Sequence, residues 1–186
     1  FAALWRLLAV TGMRRGEACG LRWDDVDLEG GTLSIRVTRV VVGHEVVESL
    51  PKTAASARSI ALDARTIQLL RSHAERQEER RRQLGPAYVD SGLVVTWEDG
   101  RPVHPSMVTK IFTREARAAG LAPIRLHDLR HSHATAGLEA GVPAKVMSER
   151  LGHSSVKTTL DIYSHVSPAI DREAAEKTAA HLFGDM

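Results

Sequence analysis

The sequence is poor in the residues that would declare a special environment. It has one cysteine and two tyrosines, and aromatic residues make up 4% of it. A lone cysteine excludes an intrachain disulfide framework. Cys19, between Ala18 and Gly20 on a short helical stretch, reads as a small buried hydrophobe rather than a reactive thiol. No apolar run reaches the roughly 20 residues that span a bilayer, and no charged-then-apolar leader is present, so a cytoplasmic protein without membrane contact is expected. There is no large excess of one charge either. The 25 Lys and Arg stand against 23 Asp and Glu, leaving +2, which does not by itself mark a nucleic-acid binder. What is present is 186 residues with 43% apolar content, enough for the core of one soluble domain. The chain opens on Phe1 rather than a methionine, which suggests a fragment of a longer protein.

The distribution of charge says more than its sum. Five of the nine histidines (His127, His131, His133, His153, His165) fall between residues 127 and 165, with Arg125, Arg130, Lys145, Arg150 and Lys157 in or beside that stretch. The chain elsewhere is ordinary. Residues 1 to 10 carry apolar side chains on nearly every face, as in a core helix, and this helix should stop near Gly12. Residues 11 to 23 then read as a tight turn and a short helix. Glu17 suits the positive end of that helix, whereas Arg14 and Arg15 do not, which hints at an anion held nearby. Taken alone, Arg14 also reads as a solvated turn residue.

Between Gly30 and Leu62 the apolar period becomes two. Leu33, Ile35 and Val37 alternate with polar residues, Gly43-His44 suits a turn, and Val46-Val47 and Ile60–Leu62 continue the apolar side, which predicts a three-stranded antiparallel sheet. Lys52 lies on the tip before the last strand. Asp63 is placed to cap a helix reaching about Leu84, whose Glu78–Arg82 charge run is a solvated end. A short apolar strand at Leu93–Val95, a helix from about Pro105 to Ala119, and a helix from Pro143 to Leu151 follow. Residues 168 to 183 read as an amphipathic helix with Ile170, Ala174, Thr178, Leu182 and Phe183 along one stripe. The fold class is therefore mainly α with a small antiparallel three-stranded β-sheet.

Leu151 to His165 gathers the most suggestive pattern: a Gly-His pair ends one helix, Ser154 and Ser155 offer caps for the next, and Tyr163 rides on it. Val156 and Leu160 share a stripe with Tyr163, so periodicity alone would place the ring in a core. A phenol of pKa about 10 is only ~0.1% ionised at neutral pH, so a catalytic Tyr163 needs cations around it. The candidates are Arg14, Lys52, His127, Arg130 and His153. His127 and Arg130, three apart on a helix, share a face and suit a phosphate. The set fits attack of a phenolate on a phosphodiester without metal or other cofactor. Two arginines clamp the non-bridging oxygens, the histidines add hydrogen bonds and take the phenol proton, and a mobile Lys52 protonates the leaving 5′ oxygen.

Collected in order, Thr11-Gly12-Met13-Arg14-Arg15-Gly16-Glu17, Lys52 followed by Arg58, His127-Asp128-Leu129-Arg130-His131, Leu151-Gly152-His153 and Tyr163-Ser164-His165 resemble the tyrosine recombinase (phage integrase) family over residues 1 to 186. The resemblance implies that catalytic domain's helical fold with a small sheet. It also implies arm- and core-binding domains that precede the domain and are missing here, and a C-terminal helical tail at 168 to 186. It makes Arg14 and Arg130 the catalytic arginines, with Glu17 supporting the first, Lys52 the hairpin lysine, His127 and His153 the histidines and Tyr163 the nucleophile. Arg58, Arg125 and Lys157 are expected along the DNA. The implied reaction is site-specific cutting and rejoining of double-stranded DNA through a 3′-phosphotyrosine link. It is carried out by a homo-tetramer on DNA, while the free fragment is a monomer.

Two other readings stay open at this level. His127 to His131 resembles the His-Glu-x-x-His zinc motif with aspartate in place of glutamate, so a zinc-dependent hydrolase using His127 and His131 is one. Against it, aspartate is one carbon short for a general base and Arg130 would set a cation beside the metal. Relaxation of a single duplex by type IB topoisomerase chemistry is the other.

Overall fold

The computed structural model describes residues 1–50, 57–161 and 168–184. Helix α1 (Ala2–Thr11) turns Leu4, Leu7, Leu8 and Thr11 into the core and ends at Gly12, whose φ of 63° is open to glycine without cost. A side chain there would also collide, because a Cβ would stand 2.6 Å from Leu151 and 2.7 Å from the His133 ring. Helix α2 (Arg15–Gly20) follows, with the Glu17 carboxylate accepting from the Arg14 backbone N–H at 2.7 Å. Gly16 and Gly20 lie one turn apart on it. A Cβ on either would fall within 3 Å of the Arg39 or Val37 carbonyl, so these two glycines let the chain at 37–39 press against α2.

Among the described residues five strands form two sheets. β1 (Val26–Asp27), β2 (Thr32–Ile35) and β5 (Arg58–Ala61) make an antiparallel sheet in the order β1-β2-β5, with Leu33 opposite Ile60. β3 (Thr38–Val42) and β4 (Glu45–Ser49) form a separate ribbon closed at Gly43. The three-stranded sheet is therefore present, but Val46-Val47 belongs to the ribbon and not to the sheet. Burial explains the split: Leu33, Ile35 and Ile60 are buried, while Val40, Val42 and Val47 are exposed. The Leu93–Val95 run is a correction too. It is fully buried but joins the rest through isolated bridges, Arg22 with Leu93 and Thr96 with Pro102, so its apolar residues serve the core and not a strand.

Asp63 caps α3 (Ala64–Leu84), accepting from the Thr66 N–H at 3.1 Å. α4 (Pro105–Ala118) completes the main core, where Val108, Ile111 and Phe112 are buried. α5 (Asp128–Glu139), α6 (Ala144–Leu151) and the short α7 (Val156–Asp161) carry the histidine-rich segment, and α8 (Pro168–Phe183) closes the chain. Leu182 and Phe183 on α8 are exposed, as are Ala174 and Thr178, so this part of the stripe does not pack on its own domain. Among the described residues no helix is long and apolar enough to cross a membrane.

Candidate functional site

The site is built on the C-terminal end of α6. A helix leaves its last carbonyls without intrahelical partners. Here Gly152, in the left-handed region at φ 68°, turns the chain so that its own N–H bonds Glu149 O and the His153 N–H bonds Ser148 O, each at 3.0 Å. The next three carbonyls in a row each take an arginine. Arg58 Nε donates to Arg150 O at 2.7 Å, Arg130 Nη2 to Leu151 O at 2.7 Å and Arg14 Nη2 to Gly152 O at 3.2 Å. The negative end of the α6 dipole favours cations there. Arg130 also donates from Nη1 to Gly12 O at 2.6 Å, tying the start of α5 to the end of α1.

One carboxylate sits among these cations. Glu17 is buried and accepts from Arg14 Nη1 (2.8 Å) and from Arg58 Nη1 and Nη2 (3.1 and 2.9 Å). Burial alone would raise its pKa, but the hydrogen bonds and charges of Arg58 and then Arg14 outweigh it and hold the carboxyl below its ordinary value. Burial, then the charge of Arg14, pulls Arg130 down to about 10 although Glu17 opposes the shift, so it stays charged at neutral pH. Among the described residues Glu17 thus pairs with Arg14 and Arg58 and acts on Arg130 through its charge.

These charges border a cleft of about 480 Å³ lined by Met13, Arg14, Arg15, Leu126, His127 and Arg130 among others. His127, directly before α5, is lowered in pKa by burial and then by His131, whose ring lies edge-on 4.9 Å away. His153 follows the three carbonyls, and its Nδ1 lies 2.9 Å from the hydroxyl of the fully buried Thr159 on α7. Burial, then Arg130 and Arg14, bring its pKa to about 4, so it is neutral at physiological pH.

Arg14, Glu17, Arg130 and His153 thus converge, with His127 on the rim of the same cleft. Lys52 and Tyr163 lie outside the described residues. Arg58, expected along the DNA, is instead turned inward. Its side chain is only 6% exposed and paired with Glu17, because β5 emerges beside α2 where a buried carboxylate requires cations. Arg125 and Lys157 are exposed. Asp128, which the zinc reading needs as a base, has both oxygens engaged by Arg125. Among the described residues no group of three or more His, Cys, Asp or Glu is placed to hold a metal. Thr159, His133 and the Arg150 side chain were not legible as site residues. The partners of Arg150 and His133 lie far away in sequence, and only the place of these two in the histidine- and arginine-rich stretch marked them.

The profile of the phage integrase family matches residues 2–169. A tyrosine recombinase XerC-like protein of Caldanaerobacter subterraneus subsp. tengcongensis is 34% identical over 94% of this chain and 48% of its own length. The ICEBs1 integrase of Bacillus subtilis is 31% identical over 95% of this chain and 48% of its own. The chain spans about half the length of these relatives. In three dimensions it resembles the Tn1549 transposon integrase solved with transposon right-end DNA, with a TM-score of 0.78 at 24% identity over 96% of this chain and 58% of that one. The XerA recombinase gives 0.72 at 24% identity over 95% and 57%. At these identities the structural likeness concerns the fold.

Proposed function

The chain belongs to the phage integrase family, and on that premise we propose that it is the catalytic part of a site-specific recombinase that cuts and rejoins double-stranded DNA through a 3′-phosphotyrosine intermediate. The observation that carries this reading is the pair Arg14 and Arg130, anchored on backbone carbonyls and lining one cleft. A scissile phosphate is the anion that this pair of guanidiniums suits. Its charge rises in the pentacoordinate transition state, where preorganised guanidiniums act most strongly.

In this scheme the Tyr163 oxygen attacks phosphorus, a 3′-phosphotyrosine bond forms, and the bond to the 5′ oxygen breaks. That oxygen takes a proton from Lys52. Arg14 and Arg130 hold the non-bridging oxygens, and His127 and His153, the latter neutral, donate to the phosphate or receive the phenol proton. A 5′ hydroxyl from a second duplex then attacks the phosphotyrosine and restores the phosphodiester, so bond energy is conserved. Glu17 supports Arg14, and Arg58 supports Glu17 rather than the DNA. Arg125 and Lys157 touch flanking phosphates. The active assembly is a ring of four copies on cytoplasmic DNA. The exposed Leu182 and Phe183 of α8 pack on the next copy around it.

A nicked suicide substrate tests the scheme. The protein should form a covalent adduct that survives denaturant and chelator alike, and an adduct persisting in Tyr163→Phe would sink the assignment. Lys52→Ala should lose cleavage of ordinary DNA and regain it on a substrate with a 5′-bridging sulfur, a leaving group that needs no proton. DNA affinity should fall steeply with salt, as phosphate contacts dictate.

A further inference from the structure

Three successive carbonyls hold the arginines, so whatever fixes that turn of α6 fixes the cationic site. Two side chains outside the proposed machinery do this. The Arg150 guanidinium donates through Nη2 to Val10 O at 2.9 Å and through Nε to His133 Nε2 at 3.3 Å. It thereby spans from the last turn of α6 to the last turn of α1 and to α5. His133 accepts from Arg150 at Nε2 and hydrogen-bonds the Ala9 carbonyl. The two bonds define a neutral ring, with an acceptor at Nε2 and a donor at the other nitrogen. Burial, then the Arg150 charge, keeps its pKa near 4, which agrees with that tautomer.

The ring also touches the site directly. Its Cδ2 stands 2.7 Å from where a Cβ of Gly12 would be, so His133 lies flush against the residue whose carbonyl receives Arg130. Gly12 O and Leu151 O, the two acceptors of Arg130, are therefore set by the same pair of side chains. The backbone of Arg150 adds a third link, because its carbonyl holds Arg58.

We infer that Arg150 and His133 form a brace that positions Arg14, Arg58 and Arg130 for phosphoryl transfer, acting through the backbone carbonyls of Gly12 and of residues 150 to 152. The inference rests on the recombinase reading and adds two positioning residues to it. A pair that only filled space would be replaceable by an apolar pair of similar shape. Such a swap of a buried polar pair is often neutral or stabilising for folding. A positioning pair is not replaceable, because the apolar pair leaves the Val10 carbonyl unclamped and lets the α6 turn shift.

The experiment compares wild type with the double variant Arg150→Met/His133→Phe. Three quantities are measured: the melting temperature, the DNA dissociation constant, and the single-turnover rate of covalent adduct formation on saturating suicide substrate. The melting temperature should stay within about 4 °C. The dissociation constant should change less than about threefold, while the rate falls on the order of 10- to 100-fold, as a displacement approaching 1 Å would produce. A double variant that cleaves at the wild-type rate overturns the brace. Should it fail to fold, His133→Phe alone decides, since it keeps the ring volume and the Arg150 charge: a loss of about tenfold at unchanged affinity is expected, and a wild-type rate overturns the proposal. Failure of wild type itself to form an adduct removes the recombinase reading and the brace together, whereas a wild-type adduct with full-speed variants removes the brace alone.

Discussion

Helices α1, α2 and α4, the three-stranded sheet and the start of α3 close over a continuous apolar cluster running from Leu4 to Leu126, whereas α5 and α6 share only the small cluster of Ala134, Met147 and Leu151. The seam between the two parts is largely polar. Arg130 to Gly12, Arg14 to Gly152, Arg58 to Arg150 and Arg150 to Val10 all cross it, and all end on backbone oxygens. Apolar burial is non-directional and tolerates small shifts, but a guanidinium on a carbonyl tolerates very few. The molecule therefore keeps its bulk stability in one part and its geometric precision at the seam.

Breaking the seam should cost most. Glu17→Ala leaves Arg58 buried without its carboxylate, and urea unfolding should show a loss of about 3 to 5 kcal/mol together with loss of cleavage. Stability within 1 kcal/mol of wild type would mean that the seam is not held by charge. Leu7→Ala empties part of the large core instead, where Leu7 is fully buried. It should cost about 3 kcal/mol, yet the folded fraction should cleave at the normal rate. If the rate falls with the stability, the two parts are not separable.

Acidification sharpens the same contrast. His133 and His153 have pKa values near 4, against an ordinary 6.5. Between those values the unfolded chain binds more protons than the native one, so stability falls as pH drops from about 6.5 towards 4. Glu17 acts further down. Its depressed carboxyl contributes stability that is present above its ordinary value of 4.5 and lost as pH falls through the lower native value. Melting temperatures at pH 7 and pH 5 should differ less in His133→Phe than in wild type, and an equal drop would exclude His133 as a proton acceptor in this range. The smallest effect is expected far from the seam. Phe183→Ser, at a side chain 75% exposed, should change monomer stability by less than about 0.5 kcal/mol.

What was legible in the sequence was what is local. The stop at Gly12, the Asp63 cap and the Gly43 turn each depend on neighbours within a few residues, and each is present. The helical fold with a small sheet followed from such signals, but the sheet's membership did not. β1 is two residues long, too short for any periodicity, and the consecutive valines of β3 and β4 are as apolar in sequence as those of a buried strand. The arginines and histidines of the site were visible as residue types at telling intervals. Their partners were not, because Arg58 meets Glu17 across 41 positions and Arg130 meets Gly12 across 118. The inward turn of Arg58 was not legible for that reason, since nothing near it in sequence marks a buried carboxylate 41 positions away.

The three acceptors at the end of α6 are main-chain atoms, and no substitution of Arg150, Leu151 or Gly152 deletes a carbonyl. A comprehensive substitution scan would therefore register the arginines as intolerant while recording nothing for the oxygens opposite them. Only chemistry on the backbone itself, such as replacing an amide by an ester to weaken its oxygen, would make that half of the recognition visible. Half of what orders this site is in that sense hidden from genetics and accessible only to synthesis.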